Sequence, residues 1–218
     1  MDIDTEFPGV VARPRNSFKH WLGYGYRLVA DNVNMLKLIQ LGLTFFNEKG
    51  ETPRPISTLQ FNFRFNVERD MFAPDSVELL IRSGIDFAVL QKEGIEHAVF
   101  AEVATMSGLV LNDDVRWICF HGAYDFGYLV KTLCSRNLPK KEADFFYLLH
   151  KYFPSVYDLK VCCIRPIPHI VHRPMPSLHH RSSFGTCTVS KGADCSLWPM
   201  RWEWTEWAGI TRPGPTRC

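Results

Sequence analysis

Between Thr58 and Val67, Leu59, Phe61, Phe63, Phe65 and Val67 alternate with Gln60, Asn62, Arg64 and Asn66. That period of two predicts a strand with one buried face. The compact apolar run Leu38 to Phe46 ends at Asn47-Glu48-Lys49-Gly50, so it predicts a partner strand and a hairpin turn. Before it, Leu28, Val29, Val33 and Leu36 recur at helical spacing across Leu28 to Leu38. A helix capped by Asp75 runs through Leu79, Leu80 and Ile81 to Ser83-Gly84, and another covers Phe100 to Met106 and stops at Ser107-Gly108. Arg116 to His121 reads as a short buried strand, and Ala123 to Leu133 as a helix through Phe126, Leu129, Val130 and Leu133. Ala143 to Phe153 is a further apolar helix closed by Pro154, followed by a strand at Ser155 to Leu159. The order of strands and helices predicts an α/β mixed sheet flanked by helices, not a bundle or a sandwich.

After Lys160 the pattern breaks. Residues 161–218 hold seven of the fourteen prolines, four of six tryptophans, four of eight histidines, seven basic residues and three acidic ones. Without apolar periodicity such a segment has little core with which to offset its ordering entropy, and it is expected to be largely unstructured. The expected organisation is one folded unit over 1–160 and a tail over 161–218.

With 218 residues and 46% hydrophobic content, the chain is long enough for one well-buried domain. A formal charge of +2 is too small to advertise nucleic-acid binding, so an RNA site would have to be local and assisted by metal ions. Seven cysteines without a CxxC pair fit a disulfide framework poorly and favour a reducing compartment. The absence of an eighteen-residue apolar run and the acidic start Met-Asp-Ile-Asp-Thr-Glu argue against a membrane partner or signal peptide, and a soluble intracellular chain is expected.

Asp4 and Glu6, two apart on a strand, point to one side of a sheet and can share a cation. Taken alone they read first as exposed charges at a frayed terminus. Asp125 lies in the first turn of the helix that follows a buried strand, where it can complement the helix N-terminus or reach a neighbouring strand end. Phosphodiester cleavage by two metal ions uses acidic side chains of this kind gathered from distant positions.

Asp4-Thr5-Glu6-Phe7-Pro8-Gly9-Val10-Val11-Ala12-Arg13-Pro14, Leu38-Ile39-Gln40-Leu41-Gly42-Leu43, Gln60-Phe61-Asn62-Phe63, Ser83-Gly84-Ile85, Gly94-Ile95-Glu96, Phe120-His121 with Tyr124-Asp125-Phe126-Gly127-Tyr128-Leu129, and Tyr157-Asp158-Leu159-Lys160 together resemble the Caf/Pop-type deadenylase subunit of the CCR-NOT complex. The resemblance covers residues 1–160. It implies a ribonuclease-H-like fold of the DEDD exonuclease superfamily, incomplete here. Asp4, Glu6 and Asp125 stand at the first two acidic motifs, as catalytic residues and ligands of two divalent ions, Mg²⁺ or Mn²⁺. It also implies 3'-to-5' removal of adenylates from the poly(A) tail of mRNA, partnership with the scaffold and second deadenylase subunits of the complex, and residence in nucleus and cytoplasm. It gives His121 no catalytic role. Phe7 is a candidate to stack on a terminal base, with core packing as the alternative, and Asp158 a candidate to support the site from behind.

The chain departs from the family pattern where a third acidic motif reading H-Q-A-G-S-D-S-L is expected, which removes one metal ligand and a histidine that orients water. The tail histidines at 169, 172, 179 and 180 are irregularly spaced among prolines and do not replace it. Read in the shifted frame, codons for Ile210 to Cys218 can spell H-Q-A-G-S-D-S-L, so a change of frame after about Lys160 is expected. The resemblance also implies a helix and a half-strand ahead of Asp4. Weak or absent activity follows for this polypeptide, with a partner-binding decoy of the complex as the alternative function.

Overall fold

The computed structural model describes residues 1–14 and 21–160. The first strand, β1 (Asp2–Glu6), alternates exposed Asp2 and Asp4 with buried Ile3 and Thr5. It is followed by α1 (Trp21–Met35), β2 (Gln40–Thr44), β3 (Thr58–Asn62), α2 (Pro74–Arg82), α3 (Phe87–Glu93), α4 (His97–Met106), β4 (Arg116–Cys119), α5 (Ala123–Cys134), α6 (Glu142–Tyr152) and β5 (Ser155–Asp158). The strands form one sheet in the order β3-β2-β1-β4-β5. β1 is central, antiparallel to β2 and parallel to β4, and β4 is parallel to β5. The expected mixed sheet flanked by helices is therefore present.

One face of the sheet carries the main core. Met1, Ile3, Leu41 and Leu43 pack with Val29 and Val33 of α1, Phe100 and Ala104 of α4, Phe126 and Val130 of α5, and Phe145 and Leu149 of α6. A smaller cluster joins Ile39 and Phe65 to Val77 and Leu80 of α2 and Phe87 and Leu90 of α3. Phe63 and Phe65 are fully buried, as their alternation predicts, whereas Leu59 and Val67 are exposed. The ladder of β3 ends at Asn62, and Phe63 instead bridges to Ile95, which turns the chain and changes which cluster each later side chain meets.

Some boundaries differ from the sequence pattern for local reasons. Asp75 lies inside the first turn of α2; the cap position is Ala73, and Pro74 opens the helix with its fixed φ. The short helix α3 is not evident from periodicity, yet Asp86 caps it by accepting from the backbone N–H of Ala88 and Val89 at 2.9 and 3.2 Å. The strand expected to reach His121 ends at Cys119.

Two polar side chains, one buried and one half-buried, fix how α1 meets its neighbours. Asn32, fully buried, accepts from Val11 and Ala12 N–H at 2.7 and 2.8 Å and donates to the carbonyls of Ala12 and Leu28, both at 2.8 Å. All four of its hydrogen-bonding capacities are used, so the segment leaving β1 is tied to α1. Lys131 on α5 donates to the carbonyls of Val33, Asn34 and Leu36, closing the end of α1. Burial pushes its ammonium down to about 8. The tail expectations for 161–218, including its four histidines, lie outside the described residues.

Candidate functional site

The site grows from the place where the central strand changes partners. β4 is in register with β1 only at Asp2↔Ile118, with Ile118 N–H donating to the carbonyl of Met1 at 2.8 Å. β1 then runs on to Glu6 while the chain leaves β4 toward α5. In parallel sheets a crevice opens at such a switch of strand order, and ligands favour it. Asp4 and Glu6 lie on this continuing half of β1, and Asp125 lies in the first turn of α5.

The turn from β4 into α5 is held by Asp158, at the end of the neighbouring β5. Its carboxylate, fully buried, accepts from the backbone N–H groups of His121 (2.9 Å), Gly122 (3.0 Å) and Lys160 (2.9 Å). Hydrogen bonds to a charged acceptor contribute about 1.5–3 kcal/mol each. They hold His121 in a left-handed conformation, φ 67°, that a residue with a side chain adopts at a cost. Gly122 must be small, because a Cβ there would come within 2.6 Å of Cys119 Sγ. Asp158 therefore sets the start of α5, three residues ahead of Asp125.

Asp125 is 9% exposed and accepts a short hydrogen bond from Thr5 Oγ1, the residue between Asp4 and Glu6. Burial pushes its carboxyl up to about 7; the Thr5 bond opposes that shift and the negative charge of Asp4 adds to it. Glu6 is raised as well, by burial and then by Asp4. Asp4 is thus within electrostatic reach of both other carboxylates. Among the described residues no group of three His, Cys, Asp or Glu is gathered closely enough to hold a metal ion. The donor set is nonetheless of the kind a hard divalent cation takes: oxygens only, from carboxyl groups, with the charge of Asp4 acting on both Glu6 and Asp125.

Phe7 turns inward. Its ring stacks on Tyr124 at 4.9 Å and 21° and meets Tyr128 at 5.2 Å, and it joins the main core as a partly buried member. His121 is half-buried, its Nε2 has no hydrogen-bond partner among the described residues, and burial lowers its pKa. Thr5 is the residue that the sequence pattern did not single out. An internal threonine between two strand carboxylates is the only signal it leaves, and the partner it reaches is 120 residues away.

The raised Asp125 carboxyl makes stability depend on pH in a definite direction. As pH rises from about 4 to about 7 the unfolded chain releases this proton before the folded chain does, so the group costs stability progressively across that window. In urea unfolding without divalent ions, Asp125→Asn is expected to have a higher midpoint than the unmodified protein at pH 8, with the difference closing by pH 4. A difference that does not change with pH would contradict this protonation state.

Comparison with known proteins agrees with the fold. The model of the CAF1 family ribonuclease matches residues 1–113 and 99–188. CCR4-associated factor 1 homolog 10 of Arabidopsis thaliana is 51% identical over 163 residues, covering 72% of this chain and 59% of that protein. The poly(A) ribonuclease pop2 of Schizosaccharomyces pombe is 50% identical over 160 residues, covering 73% and 48%. Among solved structures, S. pombe Pop2p in its Mg²⁺- and Mn²⁺-bound form superposes with a TM-score of 0.72 at 50% identity, over 74% of this chain and 64% of that one. CAF1 co-crystallised with the yeast NOT1 MIF4G domain gives 0.64 at 34% identity, over 75% and 60%. The chain spans about half to three fifths of the length of the curated relatives it matches. With a family model matching most of the chain and relatives half identical to it over more than two thirds of its length, the chain belongs to the CAF1 ribonuclease family.

Proposed function

We propose that this chain is built for metal-dependent 3'-to-5' exoribonuclease action on poly(A), as a deadenylase subunit of the CCR-NOT complex. The observation that carries the reading is the meeting of β1 and α5: Asp4 lies in the field of both Glu6 and Asp125, at the strand end where a crevice opens. Asp4, Glu6 and Asp125 are the residues that would hold the ions. When bound, divalent ions supply neutralisation of the phosphate charge and an activated water. The chain's own part is to supply negative oxygens from two rigid elements, with Thr5 holding Asp125 against β1 and Asp158 holding the turn before it.

For the 218-residue polypeptide itself the rate is expected to be low, because no H-Q-A-G-S-D-S-L stretch occurs in its sequence to complete the acidic set. Losing groups around a metal site typically costs about 10–100-fold. On a 5'-labelled oligoadenylate with Mn²⁺, this protein should shorten the substrate at least about 100-fold more slowly than S. pombe Pop2, and Asp4→Asn should remove what remains. A rate equal to that of Pop2 would overturn the low-activity reading. Residual cleavage that survives Asp4→Asn would overturn the assignment of the site.

A second reading, a partner-binding member of the complex with little catalysis, is favoured by the outer face of α4. Val99, Val103 and Met106 are 54%, 60% and 80% exposed at spacings of four and three, an apolar stripe along one helix face. A cavity of about 350 Å³ lined by Ala98, Ala101, Thr105 and Leu133 lies beside it. A protein partner such as the NOT1 MIF4G domain, which is co-crystallised with the related CAF1, suits such a surface. Introducing Val103→Glu with Met106→Glu should abolish capture of this chain by that domain; undiminished capture would place the scaffold contact elsewhere.

A further inference from the structure

The sheet has a second face, and its composition is unlike that of the core face. Residues opposite one another in the antiparallel ladders point to the same side. The registers Asp2↔Thr44↔Thr58, Asp4↔Gly42↔Gln60 and Glu6↔Gln40↔Asn62 therefore place nine positions on one face. None carries an apolar side chain. Of the intervening positions, Ile3, Leu41, Leu43 and Phe61 pack into the core. On the polar face Gln40 Nε2 donates to Asn62 Oδ1 at 2.7 Å, Gln60 Nε2 lies 3.3 Å from the same oxygen, and the hydroxyls of Thr44 and Thr58 are 3.0 Å apart. Thr58, Gln60 and Asn62 are exposed.

A solvated outer face is common in antiparallel sheets, but its usual composition is mixed and charged. Here two of the three rows begin on the carboxylates of the candidate site and continue as neutral hydrogen-bonding groups: Asp4 to Gly42 to Gln60, and Glu6 to Gln40 to Asn62. With strands about 4.8 Å apart, the β3 amides stand about 10 Å from the β1 carboxylates. Stacked bases rise about 3.4 Å each, so the face spans about three nucleotides. Gly42 leaves the approach beside Asp4 open, since a Cβ there would touch only the Asp4 carbonyl, at 3.8 Å. The face beyond β1 has no acidic residue, and past Asn62 the chain enters a surface cavity of about 370 Å³ of mixed charge, lined by Lys37, Arg64 and Arg69 together with Glu68 and Asp70. Lys37 is paired with Asp70 and Arg64 with Glu96, so that among the described residues Arg69, next to Glu68 in the chain, is the cation of the three with no ion pair.

The geometry points to this polar face as the track for the nucleotides upstream of the RNA 3' end, with Gln60 and Asn62 bonding ribose 2'-hydroxyls. This rests on the ribonuclease reading of Asp4, Glu6 and Asp125 and names the part of the substrate that reading leaves unassigned. Amides donate and accept, as a 2'-hydroxyl does, and that hydroxyl is what separates RNA from DNA at a given site.

The test is binding of an eight-residue oligoriboadenylate and its deoxy counterpart, measured by fluorescence anisotropy in EDTA so that neither is cut. The full chain should bind the ribo-oligomer more tightly. The double variant Gln60→Ala with Asn62→Ala, both at exposed positions, should weaken the ribo-oligomer about tenfold and leave the deoxy-oligomer and the melting temperature unchanged. Unchanged ribo-oligomer affinity in the variant, or equal loss for both oligomers, overturns the track. Those failures leave the ribonuclease reading standing. Failure of the unmodified protein to bind either oligomer in EDTA also overturns the track, while the metal-dependent ribonuclease reading is decided separately by cleavage of oligoadenylate with Mn²⁺.

Discussion

A single buried carboxylate organises the region on which everything functional in this chain depends. Asp158 ends β5, accepts three backbone N–H bonds, and in doing so holds together the end of one strand, the turn leaving the next, and the start of α5. A buried charge is tolerable only when its acceptor capacity is used in this way. The left-handed His121 and the Cβ-free Gly122 are conformations that this clamp stabilises. Through them α5 is launched so that Asp125 meets Thr5 on the central strand. The direction of causation runs from a residue at the back of the site to the position of a carboxylate at its front.

The central strand then divides the molecule. Its alternation sends Ile3 and Thr5 toward the helices and Asp2, Asp4 and Glu6 toward the other face, and the ladders with β2 and β3 extend that division across three strands. One face is closed by α1, α4, α5 and α6; the other presents only polar groups. A one-residue slip in register would exchange the two, so the same apolar burial that stabilises the fold also keeps the carboxylates outward. Stability and site geometry are in this sense one constraint.

Much of this was legible in the sequence because it is local. The alternation around Phe61 and Phe63, the helical spacing of Phe126, Leu129, Val130 and Leu133, and the stops at Gly84 and Gly108 each reflect backbone and burial preferences acting within a few residues. Asp4, Glu6 and Asp125 stood out by spacing and by family resemblance. What escaped was nonlocal or short. Helix α3 is seven residues, too few to show a period, and is declared only by its Asp86 cap. Asn32 and Lys131 look like ordinary polar positions of amphipathic helices, and only tertiary packing shows that each anchors backbone from another segment. Thr5 is invisible until α5 is laid across β1. Phe7 could be read either way from sequence, and the rings of Tyr124 and Tyr128 account for the packing it adopts.

The central claim is that the Asp158 clamp aims Asp125 at the β1 carboxylates so that the three can serve one divalent site. Calorimetric titration with Mn²⁺ at pH 8 tests it most directly, comparing the unmodified protein with Asp158→Asn under conditions where circular dichroism shows both folded. The amide keeps the size of the side chain but offers one acceptor oxygen in place of two. The account predicts Mn²⁺ binding by the unmodified protein and at least about tenfold weaker binding by the variant. Equal affinities, or no Mn²⁺ binding by the unmodified protein, would contradict it.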